Sequence, residues 1–417
     1  MGKEGEANSN VELESILGKG TKIFNPQAKV IANVDSVIEF LETGNAAPIL
    51  VEVDPSNACN HGCYFCLSGH IHLEESKGLE TFNRLVMPRD ILMRTCKDFV
   101  EMNVRAINWT GGGEPTINPA LKEAIQYIGE NSDIKMGMFT NGTLLDKWDL
   151  FDTLVNYMTW VRFSVDAGTP ETFNSVRRVK PGQDWDRMNS NLERLIRVNN
   201  DKGRKIDIGA GFVITPDTYH EIVDFAKHFV NYEVDYCQYK PEIVNRERED
   251  GKQRDADFWN EQVMPLLREA RGILGDKFQI NGYKVTDLQE DPSLYGRTYK
   301  RCLGSQLQPC VGADGNVYVC TNHRGYKEYS YGTLHEKSFK DIWNDIEKRQ
   351  AVMHQIDNVE CFANCTQLCK PHESNKMMWE IHQKYNSLSG EEREAYKNGL
   401  LEMQSAMRKK LVHPEFI

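Results

Sequence analysis

The sequence predicts an α/β chain in which a partial (β/α)6 barrel is followed by a cysteine-rich α+β domain, and two observations carry that reading. From Pro48 onward, short β-rich runs alternate with helical stretches. After about residue 290 the texture changes to glycine-punctuated sequence that holds six of the chain's 11 cysteines. With 417 residues and 40% hydrophobic content, there is enough apolar material for a full core and a smaller second unit.

Residues 1–47 read as a lead-in that ends in the helix-like VDSVIEFLETG. The core is expected over residues 48–290. Its strand-like runs are ILVEVDP, RAINWTGGGEP, IKMGMFTNG, WVRFSVDAG, IDIGAGFVIT and VDYCQYK, rich in β-branched and aromatic residues. Between them RDILMRTCKDFVEM, NPALKEAIQYIGE, WDRMNSNLERLIRVNN and YHEIVDFAKHFVN repeat their apolar residues at helical spacing. Strand-then-helix alternation calls for parallel strands with functional groups at their carboxyl ends. The second domain is expected over 291–372, around the hairpin-like ADGNVYVC, and a helical extension over 373–417, broken at SLSGEE.

The net charge of -11 disfavours nucleic acid and anionic membranes as partners. The opening MGKEGEANSN lacks the apolar stretch of a signal peptide, and no later run is long and apolar enough to cross a bilayer. The expected setting is therefore the cytoplasm. An odd number of cysteines without a secretion signal points to metal binding rather than a disulfide framework.

The segment CNHGCYFC places Cys59, Cys63 and Cys66 on one loop directly after the first strand. Three thiolates can bind three irons of a cubane and leave the fourth open to a ligand that is not protein. A structural zinc site needs a fourth protein ligand, which His61 or His70 would have to supply. The spacing, with aromatic Phe65 before the last cysteine, resembles the radical S-adenosylmethionine (SAM) superfamily over roughly residues 48–240. That resemblance implies a 4Fe-4S cluster whose open iron chelates SAM. One-electron reduction, from a partner such as flavodoxin or ferredoxin, then yields methionine and a 5'-deoxyadenosyl radical.

The resemblance extends to TGGGEP at the next strand, where Gly112, Gly113 and Glu114 correspond to the segment that holds the methionyl amino group. Thr140 and Asn141 in TNG, and Ser164 and Asp166 in FSVDAG, fall where the family contacts the ribose and the methionyl carboxylate. Ser164 and Asp166 share one side of a period-2 strand. Arg177 or Arg178 is a candidate partner for the carboxylate, and the small residues of GAGFVIT would admit adenine.

Twelve residues separate Cys302 from Gly315, and four more separate Gly315 from Cys320. This resembles the opening hairpin of SPASM and twitch domains, which carry auxiliary iron-sulfur clusters. The closing CFANCTQLC matches their return segment in part, since no cysteine follows Cys369. One auxiliary 4Fe-4S cluster is therefore expected, on Cys302, Cys320, Cys365 and Cys369, with Cys310 and Cys361 as further candidates. Structural zinc is the alternative.

Cys96, on the apolar side of its helix, reads as a small buried hydrophobe. Cys237, on the sixth strand, reads first as a packed core residue, although the resemblance also makes it a candidate hydrogen-atom donor. On that strand's other face Gln238 and Lys240 are candidate substrate contacts, Lys240 as a holder of an anionic group or a catalytic base. His70, His72, Glu74 and Glu75 form a polar loop that would bind metal only by converging. The leading expectation is an enzyme that oxidises, epimerises or eliminates on a sugar, cyclitol or nucleotide-linked small molecule. A peptide- or protein-modifying maturase ranks second, and a non-catalytic iron-sulfur or zinc protein third.

Overall fold

The computed structural model describes residues 25–69, 84–179, 182–243, 256–280, 297–357, 365 and 369–417. Six strands, β1 (Leu50–Val53), β2 (Ala106–Trp109), β3 (Lys135–Thr140), β4 (Trp160–Ser164), β5 (Asp207–Ile214) and β6 (Tyr236–Pro241), pair in parallel in that order. Five lie inside the predicted runs, and β6 overruns its run by one residue, Pro241. A further parallel strand, β7 (Phe278–Ile280), extends the β6 edge. Its three residues are too few to show a period, which is why the sequence does not announce it.

The late hairpin does not form a separate layer. Strand β8 (Cys310–Val311) runs parallel to β1, and β9 (Asn316–Tyr318) and β10 (Ser330–Thr333) continue outward antiparallel. Among the described residues the result is one 10-stranded sheet in the order β10-β9-β8-β1-β2-β3-β4-β5-β6-β7. Strand β1 would otherwise be an edge with unpaired backbone groups. Here Glu52 N donates to Pro309 O at 3.0 Å and Asp54 N to Val311 O at 2.9 Å. The hairpin turn requires Gly315, whose φ is +79° and where a Cβ would stand 2.8 Å from His335 Nε2.

The helices in chain order are α1 (Pro26–Ile31), α2 (Val34–Thr43), α3 (Arg89–Glu101), α4 (Leu121–Asn131), α5 (Phe151–Tyr157), α6 (Pro170–Arg177), α7 (Asp184–Asp201), α8 (Ile222–Phe229), α9 (Met264–Leu274), α10 (Phe339–Asn344), α11 (Ile346–Gln355), α12 (His372–Ser387) and α13 (Gly390–Lys410). One face of the strands, with Ile107, Met138, Phe163 and Phe212, is buried in the apolar core. Cys96 on α3 lies fully in this layer. Alternate positions, including Glu52, Asn108, Arg162 and Gln238, line the opposite, inner face through the ladder register.

The lead-in and the C-terminal extension, unrelated in the sequence reading, pack together at the amino-terminal end of the strands. Lys29 Nζ donates to Phe416 O at 3.0 Å, Asn33 Nδ2 to Pro414 O at 2.8 Å and Arg408 Nε to Ala32 O at 2.7 Å. Phe416 meets Trp160 at the start of β4 edge-on, 5.4 Å between ring centres, and His413 Nε2 lies 2.9 Å from Asp207 at the start of β5. That end of the sheet is covered, which leaves the loops at the carboxyl ends as the place for the candidate site. Among the described residues no helix is long and apolar enough to cross a membrane.

Candidate active site

The loop after β1 carries Cys59, exposed, and Cys63 and Cys66, partly buried. The three lie close enough to repel one another as thiolates. Burial pushes the Cys63 thiol up to about 11, with Arg177 opposing the shift and Cys66 and Asp166 adding to it. Holding such thiols ionised requires a strong local cation, which a metal centre supplies. His61 is not aimed at the thiols as a fourth ligand. It is buried, its Nδ1 is 3.2 Å from Arg177 Nη1, and burial followed by the Arg177 charge lowers its pKa to about 3. His70, His72, Glu74 and Glu75 lie outside the described residues.

The loop is held by the next three strand ends. Gly113 N donates to Ser56 O at 3.0 Å, and a Cβ on Gly113 would come within 2.1 Å of Ala58 O, so the GGG turn lies directly against the cysteine loop. Glu114 is buried, and its carboxylate accepts from Thr116 Oγ1 at 2.6 Å, Thr140 Oγ1 at 2.7 Å and Asn141 N at 2.8 Å. It is thus a knot between the ends of β2 and β3 more than the open ammonium acceptor expected of it. Asn141 Nδ2 donates to Asn60 Oδ1 at 2.9 Å, and Asn60 Nδ2 to Thr143 Oγ1 at 2.8 Å, which ties the β3 end to the cysteine loop. Tyr64, inside the motif, shares a 2.6 Å hydrogen bond with Thr215 beyond β5.

Ser164 ends β4, partly open on the inner face. Asp166 departs from the expected alternation: the strand has ended and its φ is 61°, a left-handed turn. Its Oδ1 accepts from Val213 N at 2.8 Å, and its Oδ2 pairs with Arg177. Arg177 is correspondingly not presented to a ligand carboxylate. It is buried, donates through Nε to Val165 O at 3.0 Å and reaches to 3.8 Å from Cys63 Sγ through Nη1. Arg178 caps α6 with a φ of 51°. In GAGFVIT the missing side chains make room for protein: Arg162 crosses Gly211, and the Tyr236 ring covers Gly209.

A cross-brace that the sequence did not suggest joins this site to the late hairpin. Arg324 Nε pairs with Asp54 Oδ2 at 2.6 Å, both groups buried. Arg324 Nη1 also donates to Gly111 O at 3.2 Å and to Ser68 Oγ, just past Cys66. Asp54 in turn accepts from the Gly112 N–H. The only sequence signal was an acid at the end of a strand, too common to single out.

Among the described late cysteines, Cys302, Cys320, Cys365 and Cys369 form one neighbourhood, each of the last three repelling others of the set as thiolates. Asn375 Nδ2 lies 3.4 Å from Cys302 Sγ, a donor that favours the thiolate. Cys310 falls outside this group. Its position on β8 opposite Glu52 sets it beside Arg324, whose Nη2 is 3.8 Å away. Cys361 lies outside the described residues. Among the described residues no three His, Cys, Asp or Glu side chains are drawn together as a formed metal site, so both thiol sets are defined by neighbourhood rather than by bonding contacts. Three thiols with His61 turned away, and four thiols together, fit an open-iron cluster and a fully ligated one respectively.

Cys237 does not face the interior. It is fully buried on the helix-facing side of β6, where Tyr239 Oη donates to Ile222 O at 2.9 Å, so its position is that of a packed core residue. Gln238 and Lys240 occupy the inner face, as expected.

The model for the radical SAM superfamily matches residues 53–227, and that for the SPASM iron-sulfur cluster-binding domain matches residues 302–370. The chain is a radical SAM enzyme with a SPASM domain. Its cofactors are a SAM-binding 4Fe-4S cluster, auxiliary iron-sulfur and SAM, which sets aside the non-catalytic and zinc readings. Among relatives of this radical SAM chain, the mycofactocin maturase MftC of Mycobacterium tuberculosis (strain ATCC 25618 / H37Rv) is 29% identical over 327 residues, 75% of this chain and 74% of that protein. A tungsten-containing aldehyde ferredoxin oxidoreductase cofactor-modifying protein of Pyrococcus furiosus is 23% identical over 322 residues, 75% of this chain and 84% of the relative. In fold, the chain resembles Streptococcus suis SuiB, with a TM-score of 0.55 and 14% identity over 84% of this chain and 79% of that one. It also resembles anSMEcpe with bound AdoMet, with a TM-score of 0.54 and 18% identity over 87% and 98%.

Proposed function

We propose that this radical SAM enzyme modifies a peptide or protein, in place of the small-molecule substrate that the sequence alone favoured. The observation that carries the reading is the 29% identity to a mycofactocin maturase over 75% of this chain. The relative that modifies a tungsten enzyme's cofactor keeps a small-molecule substrate as the second reading, at the lower identity of 23%. When bound and reduced, the cluster and SAM supply a 5'-deoxyadenosyl radical able to abstract hydrogen from substrate.

In this reading Cys59, Cys63 and Cys66 hold that cluster, and Arg177 places a donor beside Cys63 while locking the loop to β4. Gly112, Gly113, Thr140, Asn141 and Ser164 form the rim on which SAM rests, and Glu114 fixes that rim by joining the ends of β2 and β3. Cys302, Cys320, Cys365 and Cys369 hold the auxiliary cluster, which suits removal of an electron from the substrate. Flavodoxin or ferredoxin supplies the reducing electron in the cytoplasm.

The test is co-expression with short peptides encoded beside the gene, followed by mass spectrometry. The expected result is a peptide whose mass falls by two hydrogens or by a lost fragment, dependent on Cys59. Unchanged peptides, together with turnover of a nucleotide or pterin-type cofactor precursor, would overturn the reading in favour of the second.

A further inference from the structure

Among the described residues, the inner face of the sheet contains a cation, Arg162, with no anion in ion-pair distance. Arg162, in the middle of β4, lies with its guanidinium carbon 4.2 Å from the centre of the Phe139 ring, and its Nη1 donates to Gln238 Oε1. Its side chain crosses Gly211, where an added Cβ would stand 3.4 Å from Cδ and Nε, so the strand sequence leaves a lane for it. Among the described residues Nε is buried with no hydrogen-bond partner, and no carboxylate lies within ion-pair distance. The two nearby acids are committed elsewhere: Asp166 to Arg177, and Glu52 to Lys370 and Asn108.

Free energy argues against leaving this arrangement as it is. Taking a guanidinium even partly out of water is costly unless an anion answers it, and an amide and an aromatic face answer it only in part. With Nη1 on Gln238, the free edge is Nε with Nη2, which grips a carboxylate through two parallel N–H bonds. Arg162 lies on the inner face of the sheet, two residues of strand rise, about 6–7 Å, below Ser164 at the rim. Burial weakens the hold of Arg162 on its proton, with Tyr236, Asp166 and Glu52 opposing only through space.

We propose that Arg162 is the anchor for a carboxylate of the substrate, held in the barrel interior beneath the SAM rim. The proposal goes beyond the peptide reading and does not need it. In a peptide, the carboxylate could belong to an acidic side chain or to the C-terminus, and the experiment separates the two.

Reconstituted full-length protein is titrated with glutarate and, as the uncharged control, glutaramide. Arg162→Gln and Arg162→Lys are titrated alongside. Glutarate is expected to bind the parent saturably and glutaramide at least tenfold more weakly. Arg162→Gln should lose the preference, and Arg162→Lys should keep part of it. The second readout is stability: removing a half-buried charge that no anion answers should leave the free Arg162→Gln protein with an unchanged or higher melting temperature, whereas a residue that only props the fold would lower it. Equal binding of the two probes, no saturable binding of glutarate, or a preference that survives in Arg162→Gln would overturn the proposal.

N-acetylated tetrapeptides then distinguish the source: one has a glutamate and an amidated end, one a glutamine and a free end, one neither carboxylate. Stimulation of SAM cleavage by the first assigns a side chain, and by the second a terminus. Equal stimulation by all three would sink the anchor while sparing the peptide reading. Arg162-dependent glutarate binding without response to any peptide would do the reverse.

Discussion

Arg324→Met, prepared anaerobically with its iron, is expected to lose about 3–5 kcal/mol of stability at pH values where Asp54 is ionised in the parent, because it leaves that buried carboxyl with no counter-ion. Burial raises the Asp54 carboxyl from 3.8 to about 7 even with Arg324 opposing the shift. An acid with a raised folded-state pKa contributes most to stability below its unfolded value, and the contribution is lost as pH rises through the folded one. In the variant the opposing cation is gone and the folded pKa is higher still. The gap in melting temperature between variant and parent should therefore widen above pH 7 and narrow as Asp54 protonates in both. The same substitution releases Gly111 O and Ser68 Oγ, so SAM affinity measured by equilibrium dialysis should fall. A gap that is flat across pH, with SAM binding intact, would show that the brace neither carries the charge balance nor shapes the cofactor loop.

The four-thiol neighbourhood leads to the second large effect. Parent protein should hold about eight irons per chain if it carries two 4Fe-4S clusters, and Cys302→Ala, Cys320→Ala or Cys369→Ala should each reduce this to about four. Cys310→Ala should keep the full complement, because that thiol sits beside Arg324 and Asp54 instead. The three ligand variants should still cleave SAM in an uncoupled fashion and yield no product. Full iron in Cys302→Ala, or loss of iron in Cys310→Ala, would mean that the ligand set is drawn wrongly.

What could be read from the sequence was whatever is encoded locally. The six core strands announced themselves because β-branched runs and helical periods alternate, and the three-then-two cysteine spacing singled out the loop after β1. The missed features depend on residues far apart in the chain. Nothing local couples Asp54 to Arg324, or Lys29 to Phe416, since each partner alone is an ordinary charge or a terminal aromatic. Arg177 was read as a candidate ligand contact from its place after FSVDAG, with neither helix α6 nor the direction of its side chain legible. In the folded chain Asp166 turns left-handed at φ 61° and captures it. Cys237 was separable from Gln238 by strand alternation alone, and only the helices packed over β6 decided which face was the interior. Glycines of β5 that read as room for adenine are room for Arg162 and Tyr236, a distinction that composition cannot make.

The central claim is that the loop carrying Cys59, Cys63 and Cys66 initiates radical chemistry from SAM. Its most direct test is the anaerobic incubation of reduced protein with SAM, with 5'-deoxyadenosine and methionine quantified by liquid chromatography. The parent should form both in equal amounts, slowly alone and faster with substrate, while Cys59→Ala forms neither. A parent chain with a fully reduced cluster that yields no 5'-deoxyadenosine under any substrate condition would contradict the account.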